Sequence, residues 1–441
     1  MGFRYAPSHF IHHNHLTSTL NISLINLSTS IGGQYTYQNL ISVISLTFSN
    51  GYVINDLTML VYFDNGATSW PKPESVYRAM DDYMRNVGAS PGRSGHKLSL
   101  CAGRILYETR EAVARLFGVK NSSRIVFTLN ATEALNLGIK GLLSPGDHVI
   151  TTSMEHNSVI RPLRMLEKEI GIEITQIKCS KEGEIDLNRL REAIKEETRL
   201  IVVVHASNVT GTIMPVAQIG QIAKERNLTF MIDAAQTAGV LPINVDEIGV
   251  DLLAFTGHKG MLGPQGTGGL YIREGVNLRE LIQGGTGSKS ELETQPEILP
   301  DKFESGTHNT VGLAGLGAGV KFILEEGVER IREKEEELTA YILEKLSQIE
   351  GVEIYGSLSA KDKTAVVSFN IKDVSPSDVG YLLSERFGIM SRIGLHCAPL
   401  AHRTIGTFPY GAVRLSLGYF NSIKEIDYVS SALEGVAKEK R

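Results

Sequence analysis

The chain has 441 residues, of which 42% are apolar and 21% charged, and its formal net charge is −5. This length allows a large hydrophobic core and two domains, and the slightly acidic balance gives no reason to expect a nucleic acid partner. The three cysteines, Cys101, Cys179 and Cys397, form no CxxC pair, so neither a disulfide framework nor a zinc site is expected, and a reducing, cytoplasmic location fits best. No apolar run reaches the roughly 18 residues that a membrane-spanning helix needs, so no membrane partner is expected.

Residues 1–58 differ in composition from everything that follows. They contain no lysine, one arginine (Arg4) and one acidic residue (Asp56). They have neither the basic start and compact apolar core of a secretory signal nor the arginines of a transit peptide. We expect this segment to be a dispensable, poorly ordered extension, with Met59 as the functional start.

From Met59 onward, short apolar runs alternate with segments of helical periodicity. This rhythm predicts an α/β fold with a mainly parallel sheet between two layers of helices. The predicted strands of this sheet lie at residues 125–128, 148–152, 172–177, 200–204, 229–232, 251–255 and 269–272.

A second, smaller α/β unit is predicted near the C-terminus. Apolar residues recur at helical spacing among charged ones over residues 325–349, which predicts one long connecting helix. Two strand-and-helix pairs follow, at residues 365–371, 377–387, 412–417 and 424–437. The predicted domains are therefore an N-terminal segment at 59–80 that packs with the small domain, a large domain at 81–324 and a small domain at 325–441.

Lys259 lies between a predicted strand and a glycine-rich turn, which is the setting of a Schiff-base lysine. Pyridoxal phosphate (PLP) needs such an amine, a carboxylate for its pyridine nitrogen and hydrogen-bond donors for its phosphate. Asp233 ends a very apolar strand, and a buried carboxylate there requires a partner such as a protonated ring nitrogen. The alternative is that Lys259 is a solvated lysine beside ordinary turn glycines.

Further polar residues follow other strands. Ala131 and Thr132 begin a helix, whose free N–H groups could bind a phosphate, although a plain capping box explains the same residues. Thr256 and His258 flank Lys259 and could add phosphate contacts.

His156, Asn208 and Gln236 are candidates for contacts with the cofactor ring. His156 follows a strand and could stack on an aromatic ring or move protons, or it could be a hydrogen-bonded surface residue. Asn208 and Gln236 could donate to a ring oxygen, and Asn208 could instead close a turn.

These segments together resemble the cysteine desulfurases, which are class V aminotransferases of PLP fold type I. The motifs occur in order from about Tyr62 to the C-terminus and are Asn130-Ala-Thr-Glu-Ala, Glu155-His-Asn-Ser, His205-Ala-Ser-Asn-Val-Thr-Gly, Asp233-Ala-Ala-Gln and Gly257-His-Lys-Gly-Met-Leu-Gly-Pro.

The resemblance assigns a role to each of these residues. It implies covalent attachment of the cofactor at Lys259, stacking of His156 on its ring, and a contact of Asp233 with the pyridine nitrogen. Asn208 and Gln236 would contact the ring oxygen. The phosphate would be bound by Ala131, Thr132, Thr256 and His258. It also implies that Thr307 reaches the phosphate of the other subunit, and therefore a homodimer.

A second motif, Arg392-Ile-Gly-Leu-His-Cys-Ala, resembles the desulfurase segment whose cysteine takes sulfur from the substrate. Arg392 and His396 could lower the pKa of the Cys397 thiol, because nearby positive charge favours the thiolate. The alternative is a buried structural cysteine, which is the interpretation kept for Cys101 and Cys179.

The resemblance places Arg414, with Arg392 and Asn208, at the substrate, where Arg414 holds the α-carboxylate. Only 16 residues separate Cys397 from Arg414, which resembles the group II desulfurases with their compact cysteine loop. Pro399 and residues 401–409 differ from the sequence that group II desulfurases usually have at this place.

The implied function is conversion of L-cysteine to L-alanine with a persulfide on Cys397. The sulfur then passes to an acceptor protein or a thiol, for example in iron–sulfur cluster or thio-cofactor assembly. Three alternatives stay open: a lyase or desulfinase acting on L-selenocysteine or cysteine sulfinate, an aminotransferase or epimerase in which Cys397 is incidental, and a non-catalytic scaffold.

Overall fold

The computed structural model describes residues 59–92 and 95–439, so the predicted extension at residues 1–58 lies outside the described residues. The strands are β1 (Val61–Tyr62), β2 (Ile125–Thr128), β3 (His148–Thr152), β4 (Glu173–Ile177), β5 (Thr198–Val204), β6 (Thr229–Asp233), β7 (Leu252–Thr256), β8 (Gly268–Ile272), β9 (Val352–Tyr355), β10 (Val366–Ile371), β11 (Ile389–Met390), β12 (Arg392–Gly394) and β13 (Ala412–Ser416). The α-helices are α1 (Glu74–Asp82), α2 (Lys97–Leu116), α3 (Ala131–Leu142), α4 (Asn157–Ile170), α5 (Leu187–Glu192), α6 (Val216–Glu225), α7 (Val245–Ile248), α8 (Thr310–Glu326), α9 (Val328–Ser347), α10 (Pro376–Phe387), α11 (Pro399–Ile405) and α12 (Ile423–Glu439).

The large sheet has seven strands in the order β2-β8-β7-β6-β5-β3-β4. The pairs from β7 to β4 are parallel, and β8 runs antiparallel to both of its neighbours. The predicted mainly parallel, seven-stranded sheet is therefore confirmed, and each predicted strand lies within two residues of an observed one.

Side chains of the central strands alternate between two hydrophobic cores. Ile201 and Val203 of β5 belong to one core, and Leu200 and Val202 belong to the core on the opposite face. Helices cover both faces of such a sheet, so its strands are apolar at almost every position. This is why they were visible in the sequence as continuous apolar runs.

Four neighbouring strands end along the same edge of the sheet. β3, β5, β6 and β7 are parallel, so their carboxyl ends meet there. Ligands of open α/β sheets bind at this edge, because loops rather than further strands continue from it. The residues that follow these strands therefore converge from four separate stretches of the chain.

The smaller sheet is antiparallel, in the order β12-β13-β10-β9. A separate core that includes Phe63, Phe369 and Leu433 lies against it. The first strand also joins this region, since β1 pairs with β11 and Ser416 donates its N–H to the Phe63 carbonyl. The boundaries at residues 80 and 324 stay a prediction.

The single helix predicted over residues 325–349 is wrong at its start. α8 ends at Glu326 and α9 begins at Val328, with Gly327 between them at φ 87°. A residue with positive φ cannot continue a right-handed helix, and glycine adopts this conformation without a steric penalty. Within the described ranges, no helix is both long and apolar enough to cross a membrane.

Candidate active site

One pocket at the carboxyl edge of the large sheet contains about 460 Å³ of empty space, part of it open to solvent. It is lined by most of the residues predicted to bind the cofactor: Ala131, Thr132, His156, Asn208, Asp233, Gln236, Thr256, His258 and Lys259. The fold thus brings together residues that lie up to 128 positions apart in the sequence, from Ala131 to Lys259.

Lys259 stands in the turn after β7. The turn is closed by hydrogen bonds from the Gly257 N–H to the Thr267 carbonyl and from the Gly263 N–H to the Gly257 carbonyl. A Cβ on residue 257 would lie 2.1 Å from the Thr267 hydroxyl oxygen, so only glycine fits there. Burial lowers the pKa of Lys259 to about 8, although the neighbouring carboxylate of Asp233 opposes this shift.

Two buried carboxyl groups, Asp233 and Glu155, lie at or just after the carboxyl ends of strands of the large sheet. Asp233 is 3% exposed and accepts a hydrogen bond from the Ala235 N–H at 2.9 Å, and burial raises its pKa. Burial also raises the pKa of Glu155, to about 8, so this residue is a neutral acid at pH 7. Its Oε1 accepts from the Thr152 hydroxyl at 2.6 Å. Asp233 lines the pocket and Glu155 does not, so Asp233 is the carboxyl group within reach of a cation there.

His156 is held in one orientation at the N-terminus of α4. Its Nδ1 accepts from the Ser158 N–H at 3.1 Å and lies 2.8 Å from the Ser158 hydroxyl. Since Nδ1 is an acceptor, the proton of the neutral ring is on Nε2. Burial and then the charge of Lys259 lower the pKa of His156 to about 4, so the ring is uncharged at neutral pH.

The N-terminus of α3 is capped by the side chain of Asn130. The Asn130 side chain accepts from the Glu133 N–H at 3.1 Å, which confirms the capping interpretation. The N–H groups of Ala131 and Thr132, in the first turn, still have no acceptor within the helix. The cap therefore leaves these two N–H groups free, and their contact with a phosphate stays a prediction.

Cys397 is exposed and lies on a short loop between β12 and α11. The Asn157 N–H donates to the Cys397 carbonyl at 2.8 Å, and the Asn208 amide donates to the His396 carbonyl at 2.7 Å. Asn208 lines the pocket and Asn157 follows His156, so these bonds hold the cysteine loop at the pocket mouth.

The predicted effect of His396 on Cys397 is wrong in one respect. The His396 ring is buried, and burial, followed by the charge of Arg414, moves its pKa far below the ordinary histidine value. The imidazole is therefore neutral and supplies no positive charge to the thiol. Cys101, expected to be buried, is exposed on α2, whereas Cys179 is buried, which raises its pKa to about 11.

Arg414 is 2% exposed and is bound by two groups. Its guanidinium donates to the Asn208 carbonyl at 3.0 Å and to the Asp64 carboxylate at 2.9 Å. Arg392 faces Arg414 across the antiparallel pair β12–β13 and lies 3.7 Å from the other Asp64 oxygen. One carboxylate thus neutralises part of the charge of two adjacent arginines.

Asp64 was missed by the sequence analysis. The only available signal was its position at the end of the first apolar run, comparable to that of Asp233 at the end of β6. Its partner, Arg414, is 350 residues away in the sequence, and no local pattern indicates that distance.

Thr307 is exposed and is not among the residues that line the pocket of its own chain. Glu304, three residues before Thr307, forms a buried ion pair with Arg110. Two guanidinium nitrogens of Arg110 lie 2.6 and 2.9 Å from the two carboxylate oxygens of Glu304. Glu304 also accepts from the Phe127 N–H at 2.7 Å, so the base of this loop is fixed to β2.

Replacing Glu304 by alanine is expected to lower the free energy of unfolding by about 3–5 kcal/mol, because it leaves the buried Arg110 charge without a partner. Urea denaturation followed by circular dichroism measures this loss. The exposed pair of Arg85 and Asp81 provides the control, since Asp81→Ala should cost less than about 1 kcal/mol. Equal losses in the two variants would contradict the assignment of a buried, stabilising pair.

The comparisons with known proteins agree on one family. The model of the family described as aminotransferase class-V matches residues 61–429. A probable cysteine desulfurase of Methanothermobacter thermautotrophicus is 38% identical over 86% of this chain and 94% of its own length. One of Pyrococcus abyssi is 38% identical over 87% of this chain and 95% of its own length.

This chain belongs to the cysteine desulfurase family of enzymes.

The solved structures support the same conclusion. The apo structure of a cysteine desulfurase from Thermococcus onnurineus NA1 is 36% identical and superposes with a TM-score of 0.81, covering 86% of this chain and 95% of that one. The predicted family and its type I fold are thereby confirmed.

Proposed function

We propose that the chain is a PLP-dependent cysteine desulfurase that converts L-cysteine to L-alanine and keeps the sulfur as a persulfide on Cys397. One observation carries the proposal: the loop of an exposed cysteine is hydrogen-bonded to the rim of a pocket that holds a buried lysine and a buried aspartate.

The pocket fits PLP. Asn208 Oδ1 and His258 Nδ1, on two residues that line the pocket, are buried polar atoms without a hydrogen-bond partner, which a bound polar molecule would supply. Asp233 would hold the pyridine nitrogen, Asn208 and Gln236 the ring oxygen, and Ala131, Thr132, Thr256 and His258 the phosphate. When bound, PLP supplies an electron-accepting ring that stabilises charge on the carbon atoms of the substrate.

Arg414 is the group suited to the α-carboxylate of the substrate. Its guanidinium fork binds a carboxylate with two parallel hydrogen bonds, and its Asp64 partner fixes the fork at the pocket mouth. Arg392, which is 44% exposed, adds positive charge on the solvent side. These two residues, with Asn208, would orient the amino acid.

Lys259 and Cys397 then carry out different steps, proton transfer and sulfur transfer. The neutral amine of Lys259 moves the proton at Cα of the substrate. The Cys397 thiolate attacks the substrate sulfur, so that an S–S bond forms while the C–S bond breaks and its electron pair goes to the carbon. Protonation of that carbon gives alanine, and the atoms balance as L-cysteine plus thiol giving L-alanine plus persulfide.

Exposure of Cys397 suits the onward transfer of sulfur to an acceptor thiol or protein. Exposure of Thr307 suits contact with the cofactor phosphate of a second subunit in a homodimer, since the loop that carries it is anchored through Glu304 and the residue does not line the pocket of its own chain.

The test is release of alanine and sulfide from L-cysteine by the purified chain with PLP and a thiol reductant. Equal amounts of both products support the proposal. Activity only with L-selenocysteine or cysteine sulfinate would replace the substrate, and an absence of PLP absorbance after purification and reconstitution would reject the enzyme mechanism altogether.

The reaction of PLP with Lys259 is expected to depend on pH with a midpoint near 8. The neutral amine is the nucleophile, and the lowered pKa means that it forms above about pH 8 rather than above 10.5. Stopped-flow absorbance of cofactor binding to the apoprotein measures the midpoint. A rate that continues to rise toward pH 10.5 would show that Lys259 is not the buried amine described above.

A further inference from the structure

The cysteine loop contains two consecutive residues in the left-handed region of the backbone. His396 has φ 48° and Cys397 has φ 57°, and neither is glycine. Such a conformation costs free energy and persists only where surrounding contacts determine it. The two carbonyls are held by Asn208 and Asn157, so the question is what holds the side chain of His396.

A chain of side-chain hydrogen bonds reaches the His396 ring from α11 and the residues after it. Nε2 of His402 lies 3.2 Å from Nδ1 of His396, and Nδ1 of His402 lies 2.6 Å from the Thr407 hydroxyl. On its other side, the His396 Nε2 lies 3.4 Å from the Arg392 carbonyl. His402 is completely buried.

The direction of these hydrogen bonds follows from the last acceptor, the Arg392 carbonyl. A carbonyl oxygen only accepts, so Nε2 of His396 carries the proton and Nδ1 accepts. His402 must then donate from Nε2, and its Nδ1 accepts from the Thr407 hydroxyl. In the opposite direction, the unprotonated Nε2 of His396 would face the lone pairs of the Arg392 carbonyl.

Both rings are uncharged at neutral pH. Burial lowers the pKa of His402 to about 4, and the charge of Arg414 acts in the same direction on both histidines. The chain therefore has one hydrogen-bond arrangement over the range in which the protein would work.

We propose that His402, oriented by Thr407, is a positioning residue that fixes the His396 ring and thereby the left-handed turn that presents the Cys397 thiol. Neither residue lines the pocket. The proposal rests on the proposed function for its effect on turnover, but the position of the thiol can be measured without turnover.

α11, which carries His402, packs against the large sheet. Ala398, Ala401 and Ile405 lie in the core on one face of the large sheet, and the Thr404 hydroxyl donates to the Ser153 hydroxyl at 2.8 Å. The helix is thus fixed to the end of β3. His402 belongs to this helix and holds the ring of His396 by a hydrogen bond.

The test compares His402→Phe, Thr407→Val and Thr407→Ser with the wild type. Thr407→Val keeps the shape but removes the donor, whereas Thr407→Ser keeps the donor. In His402→Phe and Thr407→Val, kcat for alanine release is expected to fall at least about tenfold while KM changes less than about twofold, because the pocket is unchanged. Thr407→Ser should recover kcat to within about twofold of the wild type.

His148 provides a matched control for the loss of a buried histidine. It is completely buried and lies between the hydroxyls of Thr198 and Thr175, at 2.7 and 2.8 Å, at the start of β3 and away from the pocket. His148→Phe should lower thermal stability as His402→Phe does, yet leave kcat within about twofold of the wild type. Equal loss of kcat in His402→Phe and His148→Phe, or in Thr407→Val and Thr407→Ser, would overturn the proposal.

A second readout separates this proposal from the proposed function. Alkylation of Cys397 by iodoacetamide, measured in a Cys101→Ser background, does not require any turnover. Its rate is expected to differ at least about threefold between Thr407→Val and Thr407→Ser, because reactivity follows the surroundings of the thiol. If the wild type releases no alanine, this rate decides the positioning role, and equal rates overturn it.

Discussion

Cys397→Ser is expected to abolish release of both alanine and sulfide from L-cysteine, by at least about 10³-fold, while PLP absorbance stays unchanged. A serine hydroxyl is not ionised at neutral pH and cannot form the S–S bond by which sulfur leaves the substrate. Cofactor binding survives because the residues that line the pocket are all retained. The measurement is steady-state production of alanine and sulfide with a thiol reductant.

Cys101→Ser is the matched control, since Cys101 is the other exposed cysteine among the described residues. Its activity should equal that of the wild type. If Cys397→Ser still releases alanine at the wild-type rate, Cys397 is not the sulfur acceptor, and an aminotransferase or lyase reaction takes precedence.

Lys259→Ala is expected to lose activity by at least about 10⁴-fold and to release PLP on dialysis. Under the proposed function, the variant lacks both the amine that would bind the cofactor covalently and the group that would move the substrate proton, so two functions disappear together. Borohydride reduction of the wild type followed by peptide mapping should locate the cofactor on Lys259, and reduction of the variant should leave no labelled peptide.

Lys363 separates the effect of a buried lysine from that of Lys259. It is completely buried and burial lowers its pKa to about 7, but it donates to the Ser357 carbonyl and does not line the cofactor pocket. Lys363→Met should keep covalent PLP and activity. Retention of borohydride-fixed PLP in Lys259→Ala would show that another amine binds the cofactor.

Much of the fold could be predicted because buried parallel strands leave a strong local signal. The strands of the large sheet are continuous apolar runs, and a polar residue that ends such a run, such as Asp233 in β6, lies at the edge where ligands bind. The candidate site residues could therefore be predicted from the sequence, without the distances between them.

The remaining features depend on tertiary contacts that leave no local signal. The antiparallel direction of β8 is set by its pairing with β2 and β7, and the break at Gly327 is a single glycine inside a helical pattern. The pairing of Asp64 with Arg414 and the contact of His402 with His396 join residues whose sequence neighbours do not indicate a partner.

The 350-residue separation of Asp64 and Arg414 has a consequence for protein synthesis. At about 5–20 residues per second, roughly 20 to 70 s pass between translation of the two residues. The seven strands of the large sheet are translated within that interval, well before Arg414. The nascent chain thus carries Asp64 without its Arg414 partner and β1 without β11 until those residues have been translated, and the proposed site for the substrate carboxylate can form only then.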